Sequence, residues 1–190
     1  MTLRVAYRGA ETWPHGGRQR IRDRAIDLVI IHRLGASLRG WPHELHTVAD
    51  VAAAFAGLEE LRPEGGEVYD LVVWRDGRVE QWHPLRQYGA HALGASRRSV
   101  GIACIGDFRV HAPTDEQWSA LVQLCTVLRG GLQAQPAVLG HSDVAGGYRD
   151  QEKRPGGREE CPGPLLDLAA LAHVTTPRAS YLLGDYGIIW

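Results

Sequence analysis

Lysine is almost missing from this sequence: Lys153 is the single one among 21 basic residues, the rest being arginine. So lopsided a choice reflects the coding composition of the source rather than selection for guanidinium chemistry. A surplus of either charge is missing too. With 21 basic and 22 acidic residues the formal net charge is -1, which leaves no field strong enough to make nucleic acid a partner. No run nears the roughly 18 apolar residues of a membrane span, and residues 1–24 lack the apolar stretch of a secretion signal. These absences predict a protein made in the cytoplasm, with no membrane span. Cysteine is scarce as well, and three thiols cannot pair completely, so they read as core or ligand residues rather than as a disulfide framework.

What is present fits one domain. A chain of 190 residues with 44% hydrophobic content is long enough to bury a core without staples. Residues 1–25 are polar and Arg-rich, broken by Trp13-Pro14 and Gly16-Gly17, and predict a loosely held arm before the first regular element. The domain proper is expected over residues 26–173. Ile26–Ile31 is a nearly continuous β-branched run, the pattern of a buried strand, with His32 at its end. Thr47–Asp50 predicts a capped helix start, with Val48, Val51, Ala52, Phe55 and Leu58 at helical spacing. Two strand-like runs, Val68–Trp74 and Arg78–Trp82, meet through Asp76-Gly77, a hairpin signal. Ser99–Ile105 reads as another buried strand. Thr114 and Gln117 form a second capping box, opening a helix with Trp118, Leu121, Val122, Cys125 and Leu128 on one face until Gly130-Gly131. Pro136–Leu139 predicts a short strand before His141, and Pro164–His173 a third helix. The alternation predicts an α/β fold, one mixed central sheet flanked by helices. Residues 174–190 are unusually apolar for a chain end and are expected to pack on the domain.

Cys104 and Cys125 fall inside apolar stretches, as inert core thiols do. Cys161 instead opens Cys161-Pro162-Gly163-Pro164, just before a predicted helix. With His32 and His141, each at the end of a predicted strand, it makes a set of ligands at element ends that leaves a fourth position for water, as a catalytic zinc requires. Spacing alone does not select them, since the chain has nine histidines.

The local sequences do. Ile30-Ile31-His32, Tyr69 through Val79, Gly89-Ala90-His91-Ala92-Leu93-Gly94, Ser99-Val100-Gly101-Ile102, Gly140-His141-Ser142-Asp143-Val144 and Cys161-Pro162-Gly163-Pro164 resemble, in order, the blocks of the type 2 N-acetylmuramoyl-L-alanine amidases. That family includes phage lysozyme-amidases and peptidoglycan recognition proteins. The resemblance covers about residues 26–172. It implies a zinc site on one face of the sheet, with His32, His141 and Cys161 as ligands and Zn2+ as cofactor. It implies that Tyr69 supports the water on the metal and the tetrahedral intermediate. His91 would lie near the substrate cleft, and Trp41 is taken with it as a substrate-binding residue. The implied function is hydrolysis of the lactyl–L-alanine amide of peptidoglycan or a muropeptide by a monomeric, endolysin-type antimicrobial enzyme. A non-catalytic peptidoglycan binder and an amidase-fold interaction protein are the alternatives, and Cys161 argues against the first.

Three departures from the family pattern bear on the chemistry. Relatives that hydrolyse usually carry a lysine two residues before the third ligand, where this chain has Glu159. The acidic residue that some cytosolic members place in the sheet aligns with Ala103. The interval from His141 to Cys161 is long and holds the lone Lys153. Either Lys153 or Glu159 is therefore expected to supply the second catalytic charge.

Overall fold

The computed structural model describes residues 3–8, 21–34, 50–51, 53, 69–144, 161–175 and 182–190. Six strands form one sheet: β1 (Val5–Tyr7), β2 (Leu28–Leu34), β3 (Leu71–Val73), β4 (Val79–Gln81), β5 (Ser99–Ile105) and β6 (Ala137–Gly140). Their order is β1-β4-β3-β5-β2-β6. Among the described strands, only β3 and β4 run antiparallel, joined through Gly77 at φ +80, and the other strand pairings are parallel. The sheet is therefore mixed, and the α-helices α1 (Asp115–Gly131) and α2 (Leu168–Val174) accompany it in a single domain.

Side-chain alternation divides the sheet into two unlike faces. Val29 and Ile31 of β2 lie level with Val100 and Ile102 of β5, and Leu71 and Val73 of β3 with Ile102 and Cys104. All of these join the main core with Leu121, Leu124, Cys125 and Leu128 of α1 and Leu171 of α2. Fully burying aliphatic side chains of this kind stabilises by roughly 1.5–3 kcal/mol each, so this face carries most of the fold. On the other face, Ile30 and His32 lie level with Gly101 and Ala103, and a small cluster of Ile30, Ala92, Ala95 and Val144 covers part of it.

The elements depart from the sequence pattern in ways with physical causes. β2 continues three residues past Ile31 because β5 pairs with it through Leu34, which puts His32 inside a strand rather than after one. β1 forms within the residues expected as an arm: Leu3 and Val5 are buried and the strand pairs with β4. The signal was three residues long among arginines. Residues 21–25 also belong with the domain, since Arg22 is drawn inward by partners described below. Of the helix expected after Thr47, only Asp50, Val51 and Ala53 lie among the described residues, and they are helical. Ile188 sits in the core, and Gln81 brackets Ile189, donating to its carbonyl and accepting from its N–H.

The second capping box is half of what its spacing predicts. Thr114 caps α1 by accepting from the Gln117 N–H, but the Gln117 side chain does not reach back. It is fully buried and donates to the carbonyls of Val73 and Ile105, tying the ends of β3 and β5 to the helix. Gln117→Leu keeps the volume and strips both carbonyls of a donor. The expected loss is about 1–3 kcal/mol, read as a lowered midpoint in urea unfolding with an unchanged slope.

Candidate metal centre

The register that builds the sheet also brings the expected ligands together. β6 pairs with β2 so that Gly140 lies level with Ile31, and the next residue along each strand is a histidine. The rings of His32 and His141 stand with centroids 4.6 Å apart. Cys161 arrives from a distant part of the chain and is held by its carbonyl, which accepts from the Ser142 N–H at 3.0 Å and the Ser142 hydroxyl at 2.9 Å. Glycine makes the fit possible. A Cβ on Gly140 would stand 2.6 Å from Leu168 Cδ1 and 3.1 Å from Pro162 Cδ, and Gly163, at φ +119, passes within 2.6 Å of the Phe108 backbone at its would-be Cβ.

One donor atom from each of His32, His141 and Cys161 lies within 4.8 Å of the others, with His32 buried and the other two half-buried. Sγ of Cys161 is 4.0 Å from Nδ1 of His32. Tetrahedral zinc, with bonds of about 2.0–2.3 Å, sets its donors roughly 3.3–3.8 Å apart. The cage is a slightly opened form of that arrangement, and two imidazoles with one thiolate are a borderline-soft set suited to zinc. The other two thiols are of a different kind. Burial pushes Cys125 up to about 12 and Cys104 well above the usual thiol range, so both are inert core groups.

Tyr69 is buried, its ring centroid 4.8 Å from that of His32. Ala103, where an acidic residue would have stood, lies level with His32 and is fully buried. His91 is 1% exposed and stands behind His32, with its Nδ1 3.0 Å from His32 Nε2. Trp41, Lys153 and Glu159 lie outside the described residues.

Behind His91 is a polar cluster that the sequence did not single out. Asp70 is fully buried and accepts from the Gly101 N–H at 2.6 Å and from Arg22 at 3.0 Å, with His83 Nδ1 standing 3.3 Å away. Arg22 is itself tied to the carbonyls of Leu85, Ser96 and Ser99. Burial alone would raise the Asp70 carboxyl, but Arg22, His83, His91 and the Gly101 amide outweigh it and hold it below the ordinary carboxylate range. Burial also pushes His83 down, against the pull of Asp70. Two signals could have exposed the cluster: an aspartate opening an apolar strand, and a glycine inside one, which often marks a close approach. A Cβ on Gly101 would lie 2.5 Å from His91 Cγ.

With this geometry in place, comparison with known proteins fixes the family. The profile of the N-acetylmuramoyl-L-alanine amidases matches residues 22–164, and the chain belongs to that family. A human protein named N-acetylmuramoyl-L-alanine amidase is 23% identical over 156 residues, which is 80% of this chain and 25% of the human one. A peptidoglycan recognition protein of Trichoplusia ni is 28% identical over 127 residues, 64% of this chain and 66% of its own. This chain thus spans a quarter to two thirds of these relatives. The solved structure of the endolysin amidase LysCS of Clostridium intestinale covers 94% of this chain and 99% of its own, with a TM-score of 0.66. At 17% identity that likeness is one of fold.

The buried carboxylate gives a test by pH. Because the folded Asp70 carboxyl lies below its usual value near 3.8, its contribution is complete above about pH 4 and is lost as pH falls through the folded value. Asp70→Asn should therefore lower stability at neutral pH and flatten the decline below about pH 4. Chemical denaturation at a series of pH values measures both.

The glycine gives a second test. Gly101→Ala forces the His91 ring to move and should cost about 1–3 kcal/mol by overpacking. The shift should appear in the imidazole resonances of His91 and His32 before any change at His173.

Proposed function

We propose that this chain is a zinc-dependent N-acetylmuramoyl-L-alanine amidase that hydrolyses the amide between the lactyl group of muramic acid and L-alanine in peptidoglycan, as an endolysin-type lytic enzyme does. The observation that carries the reading is the convergence of His32, His141 and Cys161, with donor atoms within 4.8 Å of one another. A chain that only bound the wall would have no use for the thiol.

When bound, zinc supplies Lewis acidity and brings the pKa of a water close to 7. His32 and His141 serve this as neutral imidazoles, each offering a ring nitrogen lone pair, and Cys161 as a thiolate that the cation keeps deprotonated. Water adds to the lactyl carbonyl, the C–N bond breaks, and the alanine nitrogen leaves carrying a proton. Negative charge gathers on the carbonyl oxygen during the addition, and the Tyr69 phenol donates to it. Lys153 or Glu159 provides the remaining charge. Glu159 would move the proton from water to the leaving amine, and Lys153 would instead stabilise the oxyanion.

Purified peptidoglycan incubated with the zinc-loaded protein should release intact stem peptides with a free amino-terminal L-alanine, identified by mass spectrometry. Cys161→Ser should abolish release, because an alcohol is not ionised near neutral pH. Tyr69→Phe should retain zinc and wall binding while turnover falls about a hundredfold or more, the usual cost of removing one oxyanion donor. Wall binding with no peptide released by the wild type would leave a recognition protein instead.

A further inference from the structure

The hydrogen bonds behind His32 run in one direction, and that direction decides which of its nitrogens carries the proton. The Ser99 hydroxyl has one proton, and the Ala95 carbonyl accepts it at 2.9 Å. Toward His91, whose Nε2 is 3.2 Å away, the same oxygen is then an acceptor. Nε2 of His91 carries the proton, and Asp70, whose Oδ2 is 3.8 Å from it, favours a proton at that end. A neutral imidazole has one N–H, so His91 Nδ1 is a lone pair. It faces His32 Nε2 at 3.0 Å and accepts that proton. Nδ1 of His32 then carries the lone pair, and it is the nitrogen that faces Cys161 Sγ.

We propose that Ala95, Ser99, His91 and Asp70 form a second shell that fixes His32 in the Nε2–H tautomer and so aims Nδ1 into the metal cage, making His91 and Ser99 positioning residues rather than substrate contacts. The device resembles the carbonyl or carboxylate that ordinarily accepts from a metal-bound histidine, with an imidazole inserted between acid and ligand. Gly101 belongs to it, because a Cβ there would stand 2.5 Å from His91 Cγ, so only glycine lets the ring lie against β5. Arg22 and His83 hold Asp70 at the far end. The metal end of the proposal rests on the zinc reading given above, whereas the tautomer is a property of the chain itself.

The test uses 15N-histidine-labelled full chain, in metal-free and zinc-loaded forms, with NMR to assign tautomers and chelator competition to measure zinc affinity. In the wild type, both His32 and His91 should be protonated at Nε2. His91→Asn places an amide oxygen where Nδ1 was and should keep zinc affinity within a few-fold, whereas His91→Leu removes the acceptor and should weaken zinc binding by about 10- to 100-fold. Urea unfolding of the two variants checks that both are folded. An Nδ1–H tautomer of His32 in the metal-free wild type would overturn the proposal, and so would equal zinc affinities in the Asn and Leu variants. If the wild type takes up no zinc, the metal reading fails, and the tautomer in the same sample still decides whether the relay exists.

Discussion

A strand held by parallel neighbours on both sides has no freedom to slip, and β2 is so held. Seven residues of it pair with β5 and four with β6, and a shift of one residue would turn every side chain to the opposite face. In that event His32 would enter the aliphatic core and Ile31 would take its place beside His141. The apolar residues at 29 and 31, buried against α1, thus determine where the imidazole points. The remaining parts of the site are hung on this register: His141 comes one residue after the β6 pairing ends, and Ala103 and Gly101 come level from β5.

The polar side of the sheet is a costly place for charge. A buried aspartate with arginine and histidine around it loses hydration that the pairing only partly returns. Here Asp70 accepts from an amide and a guanidinium with an imidazole close by, and Arg22 donates also to backbone carbonyls. Such clusters specify geometry more than they add stability. What is specified is the position of His91, and through it the ring of His32.

The strands, and the residues that group as His32, His141 and Cys161, were legible in the sequence because both depend on short-range pattern. Ser99–Ile105 is apolar after its first residue and forms a strand with those bounds, and the candidate ligands stand in blocks whose residues are adjacent. The second shell was not legible, because it joins Arg22, Asp70, His83, His91 and Ser99 through contacts spanning up to 77 residues of chain. A histidine in a glycine-rich loop reads as a surface residue until the loop is seen folded under the sheet. Gln117 misled for a related reason: its local role as a cap competed with two carbonyls from strands 44 and 12 residues away, and the distant partners won.

The division of labour between the two faces has a consequence for how such a chain can change over generations. Substitutions around Cys161 touch a half-buried residue held by one serine, while folding relies on the α1 face. A descendant could therefore lose its thiol, and with it one donor of the candidate metal centre, while keeping the fold. In this architecture the step from a three-donor cage to a two-donor one is a short one, open to a single codon.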